Sequence, residues 1–142
     1  MFVNSGSEAN DAALMMAKLY TGRTEILSFH NAYHGASPWT QGLTCHGNWK
    51  YNLPGMPAGH HYVPHADVFT GPFRGDDAKE RYLEQFDRTL QFQIGKNRLA
   101  GLWAEPIQGV GGCTKYPEGF LKACFEKVQS EGGLCVAQVL II

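Results

Sequence analysis

No apolar run in this 142-residue sequence approaches the ~20 residues a membrane-spanning helix requires, so no helical span is expected. Net charge is almost absent as well: 12 Lys and Arg stand against 13 Asp and Glu, leaving −1. That balance provides no broad attraction for nucleic acid or an anionic membrane, and an anion has to be held by local geometry. Cysteine is sparse. Cys45, Cys113, Cys124 and Cys135 are scattered without a C-x-x-C pair, which argues against a disulfide-stapled scaffold and for a reducing compartment. The opening "MFVNSG" has neither the apolar core of a secretory leader nor the arginine-rich character of a mitochondrial one, so no targeting segment is expected in this chain. What is present is globular. With 44% hydrophobic and 18% charged residues the chain suits one domain of ordinary size.

The first helix is marked by "NSGSEANDAALMMAKLY" (residues 4–20). Asn4, Ser5, Gly6 and Ser7 are turn formers, Ser5 and Glu8 have capping-box spacing, and good helix formers follow. The spacing predicts a helix from about Glu8 to Thr21-Gly22, with Ala9, Ala12, Ala13, Met16, Ala17 and Tyr20 on its buried face. Free N–H groups and the positive end of the helix dipole make its start a potential phosphate site, although an ordinary capped helix has the same spacing. "TEILSF" (24–29) reads as a strand that feeds the polar loop "HNAYHG". Residues 35–75 hold five of the seven prolines, so a long, partly ordered surface excursion is expected there. His60, His61 and His65 in "GHHYVPH" invite a metal reading, but with only Asp67 at a short spacing the expectation is an exposed loop and no metal. From Asp76 helical spacing returns, placing Tyr82, Leu83, Phe86, Leu90 and Ile94 on one face up to Gly95. "LAGLWAEP" (99–106) reads as a buried strand, "EGFLKACFEKVQSEGG" (118–133) as an amphipathic helix, and "LCVAQVLII" as the start of another strand. Helices alternating with near-continuous apolar strands indicate an α/β fold with a mostly parallel sheet covered on both faces.

Three stretches in this order, "NSGSEAND" (4–11), "NAYHG" (31–35) and "AEPIQGVGG" (104–112), resemble the cofactor-site segments of class III aminotransferases, which are fold type I enzymes dependent on pyridoxal 5'-phosphate. The strings "EILSFHNAYHGASPWTQGLT", "DVFTGPFRG" and "YLEQF" extend the resemblance over residues 2–137. It implies that residues 1–142 form part of the cofactor-binding large domain, with a mostly parallel sheet flanked by helices. Gly6 and Ser7 match the turn that holds the cofactor phosphate. Tyr33 matches the aromatic residue that stacks on the pyridine ring, accompanied by His34 and Gly35. Glu105 matches an acidic residue on the substrate side, with Gln108 nearby. Taken alone, Tyr33 would read as packing and Glu105 as a solvated strand end.

The same resemblance exposes gaps. The chemistry needs a lysine to carry the cofactor and an acid to hold its ring nitrogen protonated. Position 138, where the family places that acid, is glutamine, and none of the seven lysines matches the catalytic one, so no catalytic residue is assigned. The chain resembles an internal slice whose amino-terminal segment, lysine region and carboxy-terminal small domain lie elsewhere. The implied activity is transfer of an amino group from alanine or a similar amino acid to glyoxylate or another 2-oxo acid, by a homo-oligomer with a mitochondrial parent family. The isolated chain is expected to be inactive. The alternatives are a phospho-lyase of the same class, or a non-catalytic product that pairs with full-length subunits; no nucleic-acid or membrane partner is expected.

Overall fold

Two strands occupy the centre of the sheet: Glu25–Phe29 (β1) and Leu99–Ala104 (β3) are buried along their whole length. The computed structural model describes residues 2–51 and 54–139. His60–Val63 (β2) and Leu134–Ala137 (β4) flank the central pair in the order β2–β1–β3–β4, with every pairing parallel. Edge strands face solvent on one side, which is why β2 can be built from two histidines and a tyrosine. The last three residues of "LCVAQVLII" lie outside the described residues.

Helices cover both faces, as the alternating pattern requires. On one face Leu14 and Ala17 of α1 (Gly6–Thr21) pack with Ile26, Leu43, Ala100 and Trp103. The other face buries Leu27, Phe29 and Leu102 under α2 (Ala78–Thr89) and α3 (Phe120–Ser130), through Tyr82, Phe86, Phe120 and Val128. Each such side chain stabilises the fold by about 1.5–3 kcal/mol relative to exposure. Beyond α2 the chain widens into a π turn over Leu90–Ile94 and stops at Gly95, whose N–H donates to the Leu90 carbonyl at 2.9 Å. Helix α2 keeps the expected face, with Leu83 and Leu90 packed against the buried core.

Three expectations are corrected. The buried face of α1 is Asn10, Leu14 and Ala17, while Met16 and Tyr20 are 53% and 82% exposed and Ala9 is also exposed. Trp103 causes the rotation: its indole N–H donates to the Asn10 side-chain oxygen at 3.1 Å, so a polar residue is satisfied inside. Residues 35–75 are also no mere surface excursion. They contain β2 and bury Thr40, Gln41, Leu43, Thr44, Val63 and Ala66. The histidines there are not an exposed loop either: His61 meets Glu25 at 2.6 Å, and His65, only 7% exposed, lies 2.8 Å from the Thr114 hydroxyl.

Candidate functional site at the carboxyl edge of the sheet

Parallel strands end together at one edge: the loop after β1 meets the first turn of α1, Glu105 after β3 meets the Tyr33 N–H of that loop, and Gln138 after β4 meets Asn10 and His34. The sequence cap is observed: Ser5 Oγ accepts the Glu8 N–H at 3.2 Å, and the Glu8 carboxylate accepts the Asn4 N–H at 2.7 Å. The Ser5 carbonyl accepts the Ala9 N–H. The N–H groups of Gly6 and Ser7 have no partner among the described residues, and they stand at the positive end of a 16-residue helix. Gly6 has open space where a Cβ would stand. Two free amides beside an uncovered backbone can hold an anion.

The loop after β1 is drawn onto this turn. Gly35 has φ +124°, and a Cβ there would stand 2.6 Å from Ser7 Oγ and 2.7 Å from Thr40 Oγ1, so a side chain is excluded on both conformational and steric grounds. The Ala36 N–H donates to Ser7 Oγ at 3.2 Å, leaving the Ser7 hydroxyl hydrogen to donate outward. Ser37 donates to the Asp11 carboxylate at 2.7 Å, a second tie between loop and helix. Gly6, Ser7 and the Tyr33–Gly35 segment are thereby brought together.

Tyr33 is half-buried, and its N–H donates to Glu105 Oε1 at 2.8 Å. Glu105 follows β3 and is fully buried; its other oxygen accepts the Gly109 N–H at 3.3 Å. Burial pushes its carboxyl pKa up, while the two backbone donors oppose the shift. The carboxylate therefore fixes the Tyr33 loop to the 105–109 loop. Gln108 beside it is fully buried and donates to the His30 carbonyl at 2.9 Å.

His34 is turned inward, fully buried, and its pKa is lowered to about 4 chiefly by burial. Its Nδ1 lies 2.7 Å from Gln138 Oε1, which also accepts from Asn10 Nδ2 at 2.7 Å. Asn10 Nδ2 further donates to the His34 carbonyl at 2.8 Å. This cluster is neutral throughout. Asn10 was not singled out by the sequence, although a poor helix former inside a strong helix was a signal. Thr44, which accepts the His34 N–H and donates to the Gly35 carbonyl, offered no comparable one.

The residues fit a phosphate, at the Gly6 and Ser7 amides, and a flat ring, against Tyr33. They do not fit a protonated ring nitrogen, because Gln138 carries no charge. Among the described residues no lysine makes a hydrogen bond or ion pair with Tyr33, His34, Glu105 or Gln138; Lys18 lies over Trp39, Lys50 over Tyr62, and Lys79, Lys122 and Lys127 pair with carboxylates.

Residues 1–138 match the family model described as aminotransferase class III. The chain is 44% identical to the mitochondrial alanine–glyoxylate aminotransferase 2 of Homo sapiens, covering 95% of this chain and 30% of that protein. A mitochondrial alanine–glyoxylate aminotransferase 2 homolog of Arabidopsis thaliana is 39% identical, with 96% and 28% covered. The pyridoxal-phosphate-bound amine transaminase from an uncultivated Pseudomonas species superimposes with a TM-score of 0.88 at 28% identity, covering 95% of this chain and 32% of that one. The chain thus spans about 30% of the length of the curated relatives it matches.

Proposed function

The chain belongs to the class III aminotransferase family, and from that premise we propose that its 142 residues are the part of the large domain that grips pyridoxal 5'-phosphate by the phosphate and by one ring face. The observation that carries the proposal is the pair of unpartnered amides at Gly6 and Ser7, against which the Tyr33 loop is pinned by Gly35. When bound, that cofactor withdraws electrons from the carbon carrying the amino group.

The chain's own residues bind and orient. The Gly6 and Ser7 amides and the Ser7 hydroxyl hold the phosphate; Tyr33 supplies an apolar face; Glu105 fixes that face through the Tyr33 N–H. His34 stands behind this loop, its ring held by Gln138. None of these residues supplies the proton-handling lysine, and Gln138 stands where the family places the acid that faces the ring nitrogen. In the whole protein the reaction is transfer of an amino group from alanine or a similar amino acid to glyoxylate or another 2-oxo acid, in mitochondria; by itself the chain does not turn over.

Association with further subunits is favoured by one specific feature. Met15, Met16, Leu19 and Tyr20 leave a wide apolar face of α1 in solvent, beside a groove of about 520 Å³ lined by Leu14, Met15, Leu19 and Trp39 among others.

Equilibrium dialysis of the purified chain against pyridoxal 5'-phosphate tests the cofactor reading. Saturable binding at one site, competed by inorganic phosphate and at least tenfold weaker for unphosphorylated pyridoxal, is expected. Borohydride treatment followed by peptide mapping should label none of the seven lysines stoichiometrically. Equal binding of pyridoxal and its phosphate would defeat the assignment of Gly6 and Ser7.

A further inference from the structure

Trp49 lies in the 35–75 stretch and belongs to no motif. Its ring meets the Tyr33 ring at 5.7 Å between centroids and 68° between planes, and it is 43% exposed. A single exposed aromatic residue requires no explanation. This one is held in place. Gln41, fully buried, donates from Nε2 to the Trp49 carbonyl at 3.1 Å and to the Gly35 carbonyl at 3.4 Å, and its Oε1 accepts the Tyr51 N–H at 2.8 Å. One side chain therefore locks the Trp49 segment to the segment that carries Tyr33 and rests on Ser7.

Two rings fixed near a right angle form a corner. A flat, electron-poor heterocycle seated on one ring presents its edge to the other, and both arrangements are favoured by the aromatic quadrupole. An aliphatic phosphate can use the Gly6 and Ser7 amides equally well but gains nothing from the corner. The geometry points to Trp49 as a second aromatic wall of the ligand site, and thereby as the residue that makes the site prefer planar heteroaromatic phosphates to aliphatic ones. This inference rests on the cofactor reading of Gly6, Ser7 and Tyr33.

The test uses the full chain, with pyridoxal 5'-phosphate and glycerol phosphate as probes, equilibrium dialysis for affinity, and tryptophan emission for proximity. The chain holds three tryptophans. Trp103 is fully buried and Trp39 lies under Lys18, so Trp49→Phe removes one emitter and leaves these two. Trp39→Phe should keep the saturable quenching by pyridoxal 5'-phosphate. Trp49→Phe should lose the larger part of it while binding within about twofold of wild type. Trp49→Ala should weaken pyridoxal 5'-phosphate about two- to tenfold and leave glycerol phosphate unchanged, a selectivity that a loop-folding defect would not produce. Unchanged quenching in Trp49→Phe, or equal weakening of both probes in Trp49→Ala, overturns the assignment of Trp49 and leaves the cofactor reading standing. Absence of pyridoxal 5'-phosphate binding by wild type overturns both.

Discussion

The Tyr33 backbone N–H and the Glu105 carboxylate, 72 residues apart in sequence, meet at 2.8 Å inside the protein. The second carboxylate oxygen takes the Gly109 N–H. Glu105→Gln replaces one acceptor by an amide that confronts a backbone donor, leaving a buried N–H unpaired. The expected loss is about 1–3 kcal/mol of stability, seen as a lower urea midpoint at unchanged slope, together with weaker pyridoxal 5'-phosphate binding as the Tyr33 loop loosens. Wild-type stability and affinity in Glu105→Gln would remove Glu105 from its role in holding Tyr33.

Gly35 gives a sharper steric case. Its positive φ is unfavourable for alanine, and the added Cβ would stand 2.6 Å from Ser7 Oγ and 3.0 Å from Ser7 Cα. Strain and overpacking together predict that Gly35→Ala costs about 2–4 kcal/mol. Because the clash falls on Ser7, inorganic phosphate should cease to compete for whatever pyridoxal 5'-phosphate binding survives. Gly6→Ala, at a position with open space, should cost under about 1 kcal/mol. Urea titrations of the two variants side by side separate these outcomes.

The contrast between these glycines marks how far the sequence can be read. β1 and β3 were legible because both faces of a central parallel strand are buried, which leaves short and mostly apolar runs of strand formers. The α1 cap was legible because its chemistry is local. β2 was not: an edge strand tolerates polar residues, and "HHYV" has no periodicity to separate it from a loop. The α1 face was misread because its orientation depends on Trp103, 93 residues from Asn10, which no local pattern encodes. In the site, Gly6, Ser7 and Tyr33 stood out by motif. Gln41 and Thr44 act only through backbone contacts created by the fold.

Acid should unfold the protein in a defined window. His34, His60 and His65 each have a folded pKa lowered to about 4, with burial as the main cause. Between the unfolded value near 6.5 and about 4, the unfolded chain binds protons that the folded chain refuses, so stability falls as pH falls through that range. Each histidine contributes a slope of up to about 1.4 kcal/mol per pH unit. Glu25 acts lower: the His61 hydrogen bond is the largest influence lowering its pKa, so its contribution is present at neutral pH and lost only as the carboxylate is protonated. Urea midpoints measured from pH 7 to 4 should fall steadily, and His65→Gln should make the fall shallower. A flat profile would show that these histidines are not buried as neutral groups.

Gln138 permits a test of the neutral cluster itself. Asn10 Nδ2 can only donate, so the Gln138 atom it meets is the carbonyl oxygen, and His34 must donate from Nδ1 to the same atom. Two N–H groups at 2.7 Å form a donor pair that suits a carboxylate better than an amide. In Gln138→Glu, which keeps the side-chain length, the negative charge would favour imidazolium at His34 against the burial that now suppresses it. The His34 pKa should rise from about 4 by about 1–3 units, read from the ring proton shifts in an NMR titration. The pH window of His34 then narrows, and part of the acid sensitivity described above should disappear with it. A His34 titration unaltered by the new carboxylate would mean that residue 138 does not meet the imidazole, and the tautomer assigned to His34 would fall with that contact.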